Sequence, residues 1–282
     1  LDLINIFSVL IVALFSGVLG SLTGLGGASI MTPILVALGL PLKHSIANAV
    51  ISIIATSAGS SAAYVRDRIT NIRAAMYMEI FTIIGGIVGA YLTLMLSAVV
   101  LYFFFASFLI LVLFLSREKG SLNDVSRDRE IDRFSRWLNI RGEYYDPGDK
   151  IYISYIVRRA HIGGPMMMMI AGVAAGSLGI GAGAFKTAIQ EGIMGLPPKV
   201  ATTTSNFIIG MTGLAAASVY ISSGYVDPVL AASMTLGTAV GSIIGSKILP
   251  IIRGRTVRIL SMIITVYLII QMIYKGVSQL WI

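Results

Sequence analysis

Residues Gly20 to Pro33 read GSLTGLGGASIMTP, and residues Gly176 to Ile189 read GSLGIGAGAFKTAI. Both lie inside long apolar stretches, where glycines and small hydroxyl residues interrupt what otherwise reads as membrane helix. The hydrocarbon core offers no hydrogen bonds to a freed peptide group, so a helix broken at membrane depth must be buried in protein or line a watery cavity. The two stretches are therefore read as the tips of paired helical hairpins that together form a substrate site.

Composition agrees with that setting. Hydrophobic residues make up 56% of the chain and charged residues only 12%, against about 25% charged in soluble domains. With a mean hydropathy of +0.87, the chain reads as a polytopic membrane protein. The net charge of +8 does not point to nucleic acid, because the basic residues cluster in loops beside apolar spans, where the positive-inside bias puts them. There is no cysteine, so disulfides and thiolate metal sites are excluded. No signal-peptide pattern is read at Leu1, since the run after Asp2 continues into the first hairpin.

In chain order, Leu3 to Leu22 is an apolar limb, the first tip follows, and Ala28 to Gly39 is a second limb of about 12 residues, or roughly 18 Å of helix. A hydrocarbon core of about 30 Å is too thick for it to cross. Gly39-Leu40-Pro41 ends the limb, as glycine suits the residue after a helix and proline the start of the next. Spans are expected near His44 to Val65, Arg73 to Leu96 and Ala98 to Ser116. From Arg117 to Arg159 the composition turns polar. Asp124 to Ile140 reads either as a surface helix or as a solvated loop, and Tyr145 to Asp149 as the turn of a small hairpin. The expected division is a first membrane repeat over 1–116, a cytoplasmic connector over 117–160 and a second membrane repeat over 161–282.

The second half repeats the first. Setting residue i against i+156 aligns the chain without a gap from about Gly20 to Ala90, with roughly one position in four identical. Gly39-Leu40-Pro41 and Lys43 fall on Gly195-Leu196-Pro197 and Lys199, Thr56 and Tyr64 on Thr212 and Tyr220, and Gly85 and Gly89 on Gly241 and Gly245. Aligned loops carry opposite charge bias. Arg66 to Arg73 holds three arginines where Ser222 to Val229 holds none, and Arg253, Arg255 and Arg258 crowd a turn whose partner, Leu94 to Tyr102, is uncharged. The positive-inside rule then puts the aligned loops on opposite sides, so the expected fold is all-α with two inverted repeats, each a re-entrant hairpin plus three transmembrane helices.

Inverted hairpins enter from opposite faces and bring their tips together near the midplane. Each second limb starts there with its N–H groups and positive dipole end, which suits an anion. The glycine hairpins, each followed by Gly-Leu-Pro and a small-polar segment (Ala47-Asn48-Ala49, then Ala201-Thr202-Thr203-Thr204-Ser205), resemble the TauE/SafE sulfite exporter family. The Gly142-Glu143-Tyr144-Tyr145-Asp146 patch and Val157-Arg158-Arg159 extend the similarity over nearly the whole chain. The resemblance implies a plasma-membrane secondary transporter, an exporter of sulfite, organosulfonates or related small anions. Ala28, Ala182, Asn48-Ala49 and above all Lys186 depart from the family pattern, which has an apolar residue at the last of these. A carrier or channel for another small anion such as a carboxylate, and a membrane enzyme or scaffold, stay as alternatives.

The candidate anion-binding residues are Thr23, Gly24, Gly26, Gly27 and Asn48 in the first half, and Gly181, Gly183, Lys186, Thr204 and Ser205 in the second. Glu79 and Glu191, acids inside apolar spans, are candidates for carrying a coupling proton or for a structural ion pair. No catalytic group, cofactor or metal set is read near the tips, and Met166 to Met169 reads as packing. Gly85, Gly86, Gly89, Gly237, Gly241 and Gly245 read as helix-packing glycines. His44 and His161 read as anchors or caps at the membrane borders. Expected partners are the small anion and the lipid bilayer, with a homodimer as an option.

Overall fold

A computed structural model of the chain describes residues 3–24, 26–117, 137–138, 140–146, 151–157, 163–252 and 254–280. The first half comprises α1 (Leu3–Thr23), α2 (Ala28–Ala37), α3 (Leu42–Arg66), α4 (Ile72–Met95) and α5 (Ala98–Arg117). After β1 (Arg141–Asp146) and β2 (Ile151–Ile156), the second half comprises α6 (Gly163–Leu178), α7 (Gly183–Gly192), α8 (Pro198–Ser222), α9 (Pro228–Ile248) and α10 (Gly254–Leu280). Helices α1, α3, α4, α8, α9 and α10 contain stretches long and apolar enough to cross a membrane. The protein is all-α and polytopic. Helices α2 and α7, at 10 residues each, reach only about 15 Å and cannot cross, as expected of the second hairpin limbs.

Local chemistry explains the ends. Gly39 and Gly195 take φ of +92° and +74° just past the short helices, a conformation that costs glycine nothing. Prolines open α8 and α9 in the first turn, where their missing N–H has no partner to lose. Asn71 caps α4 by accepting from Ala74 N, and Asp227, its equivalent, caps α9 by accepting from Val229 N and Leu230 N.

The polarity of the bundle is inside-out relative to a soluble protein. Ile80, Ile84 and Tyr91 on α4, and Ile263, Tyr267 and Ile270 on α10, are exposed, whereas Ser52, Thr56, Ser60, Thr82, Thr202 to Asn206, Thr212 and Thr238 are buried. The apolar perimeter faces lipid. The centre is lined with hydroxyls that mostly bond their own helix, as Thr56 does to Ser52 O and Ser60 to Thr56 O.

Contacts recur at the 156-residue offset. Lys43 Nζ donates to Leu94 O at 2.9 Å and Lys199 Nζ to Pro250 O at 3.1 Å. Tyr64 Oη donates to Ser21 O at 3.0 Å and Tyr220 Oη to Gly176 O at 2.6 Å. Helix α1 packs along α9, and its equivalent α6 packs along α4. The tightest pairs therefore join one helix from each half. Two bundles result, α1, α2, α3 and α9 in one and α6, α7, α8 and α4 in the other, meeting along α3 and α8, with α5 and α10 packed together at the side. Glycine allows the crossings: a Cβ at Gly85 would overlap Met169 O on α6, and one at Gly241 would overlap Leu14 O on α1. The other glycines read as packing residues sit at the same two crossings, except Gly86, whose Cβ would press on Thr212.

The connector hairpin is antiparallel, with Tyr144 opposite Ile153 and Gly142 opposite Tyr155. Tyr155 is buried over Gly142, and its hydroxyl accepts from Asn71 Nδ2 at 3.1 Å. Burial raises the Tyr155 phenol above its ordinary range, so it stays a neutral hydroxyl. The surface helix considered over Asp124 to Ile140 lies almost wholly outside the described residues, as do His161 and the turn residues 147–150.

Candidate functional site

Each tip is a break between a long helix and a short one. In the first, α1 ends at Thr23, Gly24 and Gly26 hold φ of +71° and +75°, and α2 begins at Ala28. In the second, α6 ends at Leu178, Gly179 and Gly181 hold φ of +65° and +67°, and α7 begins at Gly183. Ala182 takes the same left-handed region at φ +47° with a side chain attached, at a cost of about 1 kcal/mol.

The tips meet alongside the middle turns of α3 and α8. Ser29 Oγ donates to Ile180 O at 3.0 Å, and Ser205 Oγ lies 3.4 Å from Gly24 O and 3.3 Å from Gly183 O. Ile53 and Ile209, repeat equivalents, close on the second tip: a Cβ at Gly181 would stand 2.9 Å from Ile209 Cγ2 and 3.4 Å from Ile53 Cδ1. Asn206 Nδ2 donates to Ser21 O at 2.9 Å and ties α8 to the end of α1. Because α2 and α7 both start here, the positive ends of two helices converge on one region, although at α2 the amides of Ser29 and Ile30 already donate to Gly26 O and Gly27 O.

Lys186, in the first turn of α7, is wholly buried. Its ammonium donates to Thr212 Oγ1 at 3.1 Å. Thr212 Oγ1 is 3.0 Å from Thr82 Oγ1, and Thr82 donates to Glu79 O at 2.9 Å. A helix start repels a cation, so neither the dipole nor lipid compensates this charge. Among the described residues no carboxylate lies within 4 Å of it; Glu79 is the acid it senses at longer range. One turn on, Gln190 is also wholly buried, and neither its oxygen nor its nitrogen makes a hydrogen bond to protein.

The other candidates divide between the tips and the loops. Gly24, Gly26, Gly181, Gly183 and Ser205 come together where the tips meet. Gly27 is helical at φ −55°, and a Cβ there would press on Ser16 O and Thr56 Oγ1 at 3.1 Å. Thr23 donates back to Leu19 O. Asn48 and Thr204 are repeat equivalents with equivalent duties: Asn48 Oδ1 accepts from Asp227 N at 3.0 Å, and Thr204 Oγ1 accepts from Asn71 N at 3.2 Å. Each holds the loop that opens a span of the other half. Glu191 is half-buried on α7, about 140° around the helix from Lys186. His44 packs against the Tyr225 ring at a tilt of 58° and meets Tyr225 O at 3.1 Å, an anchoring role at the start of α3.

Thr82, Ser29 and Asn206 were not singled out as site residues by sequence, and only Thr212 carried a signal, its alignment with Thr56. A groove of about 590 Å³ between α5 and α10, lined by Val100, Phe103, Phe104 and Ile273, holds no charged residue and belongs to the apolar flank.

An apolar perimeter of spans around a buried polar centre, entered by two helices that stop halfway, is the architecture of a multi-pass membrane transporter. The model of the family described as sulfite exporter TauE/SafE matches residues 9–272, and the chain belongs to that family. It is similar to "Probable membrane transporter protein YunE" of Bacillus subtilis (strain 168), at 26% identity over 280 residues, covering 96% of this chain and 98% of that protein. No solved structure gives a significant match.

Proposed function

We propose that the protein is a secondary transporter of small sulfur oxyanions, sulfite or organosulfonates, which binds the anion beside Lys186 where the two hairpin tips meet. The observation that carries this reading is the buried Lys186 ammonium, held by one threonine hydroxyl with no carboxylate in contact. A charge at the bilayer centre costs about 2.5 to 3.5 kcal/mol. A charge-assisted hydrogen bond from lysine returns about 1.5 to 3 kcal/mol, and a partly buried helix start up to ~2 kcal/mol. Together these balance the cost for a small anion, whereas the lysine gains nothing from the helix start it sits on. A tetrahedral or pyramidal oxyanion suits the setting, because its several oxygens can accept from first-turn amides, the ammonium and a tip hydroxyl such as Ser205 at once.

The opposite charge bias of the aligned loops supports inverted halves, with the Arg66–Arg73 loop and the connector on the cytoplasmic side. Alternating access then exposes the site to one side at a time. Ligand-induced thermal stabilisation tests the substrate class on purified protein, with sulfite, thiosulfate, ethanesulfonate, acetate and succinate. An anion at a hundred times its dissociation constant stabilises by about 2.7 kcal/mol. Sulfite or a sulfonate should raise the melting temperature, and a response confined to the carboxylates would sink the sulfur-oxyanion reading.

A further inference from the structure

We propose that Glu79 is the proton-coupling group of this transporter: it carries the counter-charge of Lys186 in the empty carrier and takes up one proton when the anion replaces it. The inference rests on the anion site proposed above. Glu79 is 8% exposed, and its Oε1 is buried with no hydrogen bond to protein. Its helical turn is tied to Lys186 by the hydroxyls of Thr82 and Thr212, at steps of 2.9, 3.0 and 3.1 Å. Glu79 and Lys186 are each other's charged neighbour, yet they do not touch within 4 Å. The two charges therefore interact without locking, and a third group can come between them.

Among the described residues no other charged group competes with Lys186 for Glu79. Helix α6, which packs along α4, has no titratable side chain. On α8, Lys199 is engaged at Pro250 O and Tyr220 at Gly176 O. On α3, Lys43 bonds Leu94 O, His44 meets Tyr225, Tyr64 bonds Ser21 O and Arg66 pairs with Asp67. Along α4 itself, Arg73 and Tyr77 lie six and two residues before Glu79 and Tyr91 twelve after it, so at about 100° per residue all three stand off its face by roughly 120° to 160°.

Charge balance gives the coupling. The empty carrier holds an ammonium and a carboxylate, which sum to zero. A monoanion added to that pair leaves one uncompensated negative charge at membrane depth, a state penalised by several kcal/mol. Protonating Glu79 forms one O–H bond and restores neutrality, with Lys186 now paired to the anion. Both neutral forms can change access, and each cycle moves one monoanion together with one proton taken from the side where the anion entered and released where it leaves. Direction follows the product of the two gradients, so the same device exports whenever the internal excess of anion outweighs the opposing proton gradient.

The test uses the full chain in liposomes with labelled ethanesulfonate, whose single charge does not change with pH. One proton per monoanion means that a gradient of one pH unit sustains about tenfold accumulation whatever the membrane potential. Wild-type protein should reach that level, and Glu79→Gln should lose the accumulation while still exchanging internal for external ethanesulfonate. Accumulation by Glu79→Gln, or wild-type accumulation indifferent to the pH gradient, overturns the inference. Wild-type protein that moves no ethanesulfonate in either mode counts against the substrate reading instead, and the pairing is then decided by melting temperature. Glu79→Gln and Lys186→Met should each lower it, and the double variant should recover most of the loss. A single variant that does not fold beside a double variant that does gives the same support, and additive losses, or a double variant that also fails to fold, overturn the pairing.

Discussion

Replacing Lys186 by methionine keeps the length and apolar body of the side chain and removes only the ammonium, so it isolates what that charge does. Two quantities follow from the geometry. The lysine makes one hydrogen bond to protein, to Thr212, whose hydroxyl keeps Ile208 O at 3.0 Å and Thr82 at 3.0 Å as partners after the change. The folding cost is therefore confined to Glu79 losing its counter-charge, on the order of 1 kcal/mol, or roughly 2 to 4 °C in a chain of this size. If the anion is the ammonium's partner, binding loses a charge-assisted bond of about 1.5 to 3 kcal/mol, which weakens affinity about 10- to 150-fold. Isothermal titration of sulfite or ethanesulfonate into detergent-solubilised protein, beside a melting curve of the same sample, measures both. A folded Lys186→Met protein with unchanged anion affinity would refute the assignment of Lys186 as a ligand.

The other buried lysine at helix level gives the contrast. Lys199, like Lys43 at the equivalent position, is spent on a carbonyl at the far end of the next span, so Lys199→Met should lower the melting temperature and leave anion affinity within about twofold. The topology is read with cysteines placed in this cysteine-free chain at two exposed loop positions: Asp67→Cys should react with an impermeant thiol reagent only from the cytoplasmic side and Ser223→Cys only from outside. Reaction of both from one side would remove the inverted arrangement and the midplane site with it.

The hairpins, the short second limbs and the repeat were legible because they rest on local rules. Glycine with positive φ, proline in a first helical turn and the length of an apolar run act at the residues that carry them, so the spans expected at His44–Val65 and Arg73–Leu96 are found at Leu42–Arg66 and Ile72–Met95. What meets what was less legible. Asn48 and Thr204 stood out as polar residues in the small segments after Gly-Leu-Pro, but each reaches the loop of the opposite half. That duty depends on α3 lying against α9 and α8 against α4, which no single stretch encodes. Lys186 was recognisable as a charge in an unfavourable place, while its contact with Thr212 and its relation to Glu79 come from the way α7 is laid against α8 and α4.

The exchange of helices between the halves also bears on how the molecule is made. As the chain leaves the ribosome, α4 is complete at Met95, but the surface that Gly85 and Gly89 offer is matched only by α6, which begins at Gly163. Helix α1 waits longer still, until α9 has been inserted. During that interval the first half sits in the bilayer with two glycine-faced helices uncovered, each a docking surface for any neighbour with a small-residue stripe. Assembly must therefore be late and concerted, with the polar centre closing only when the last spans arrive. The first half made alone is a fragment in search of its complement, and the two halves made as separate chains should find each other in the membrane.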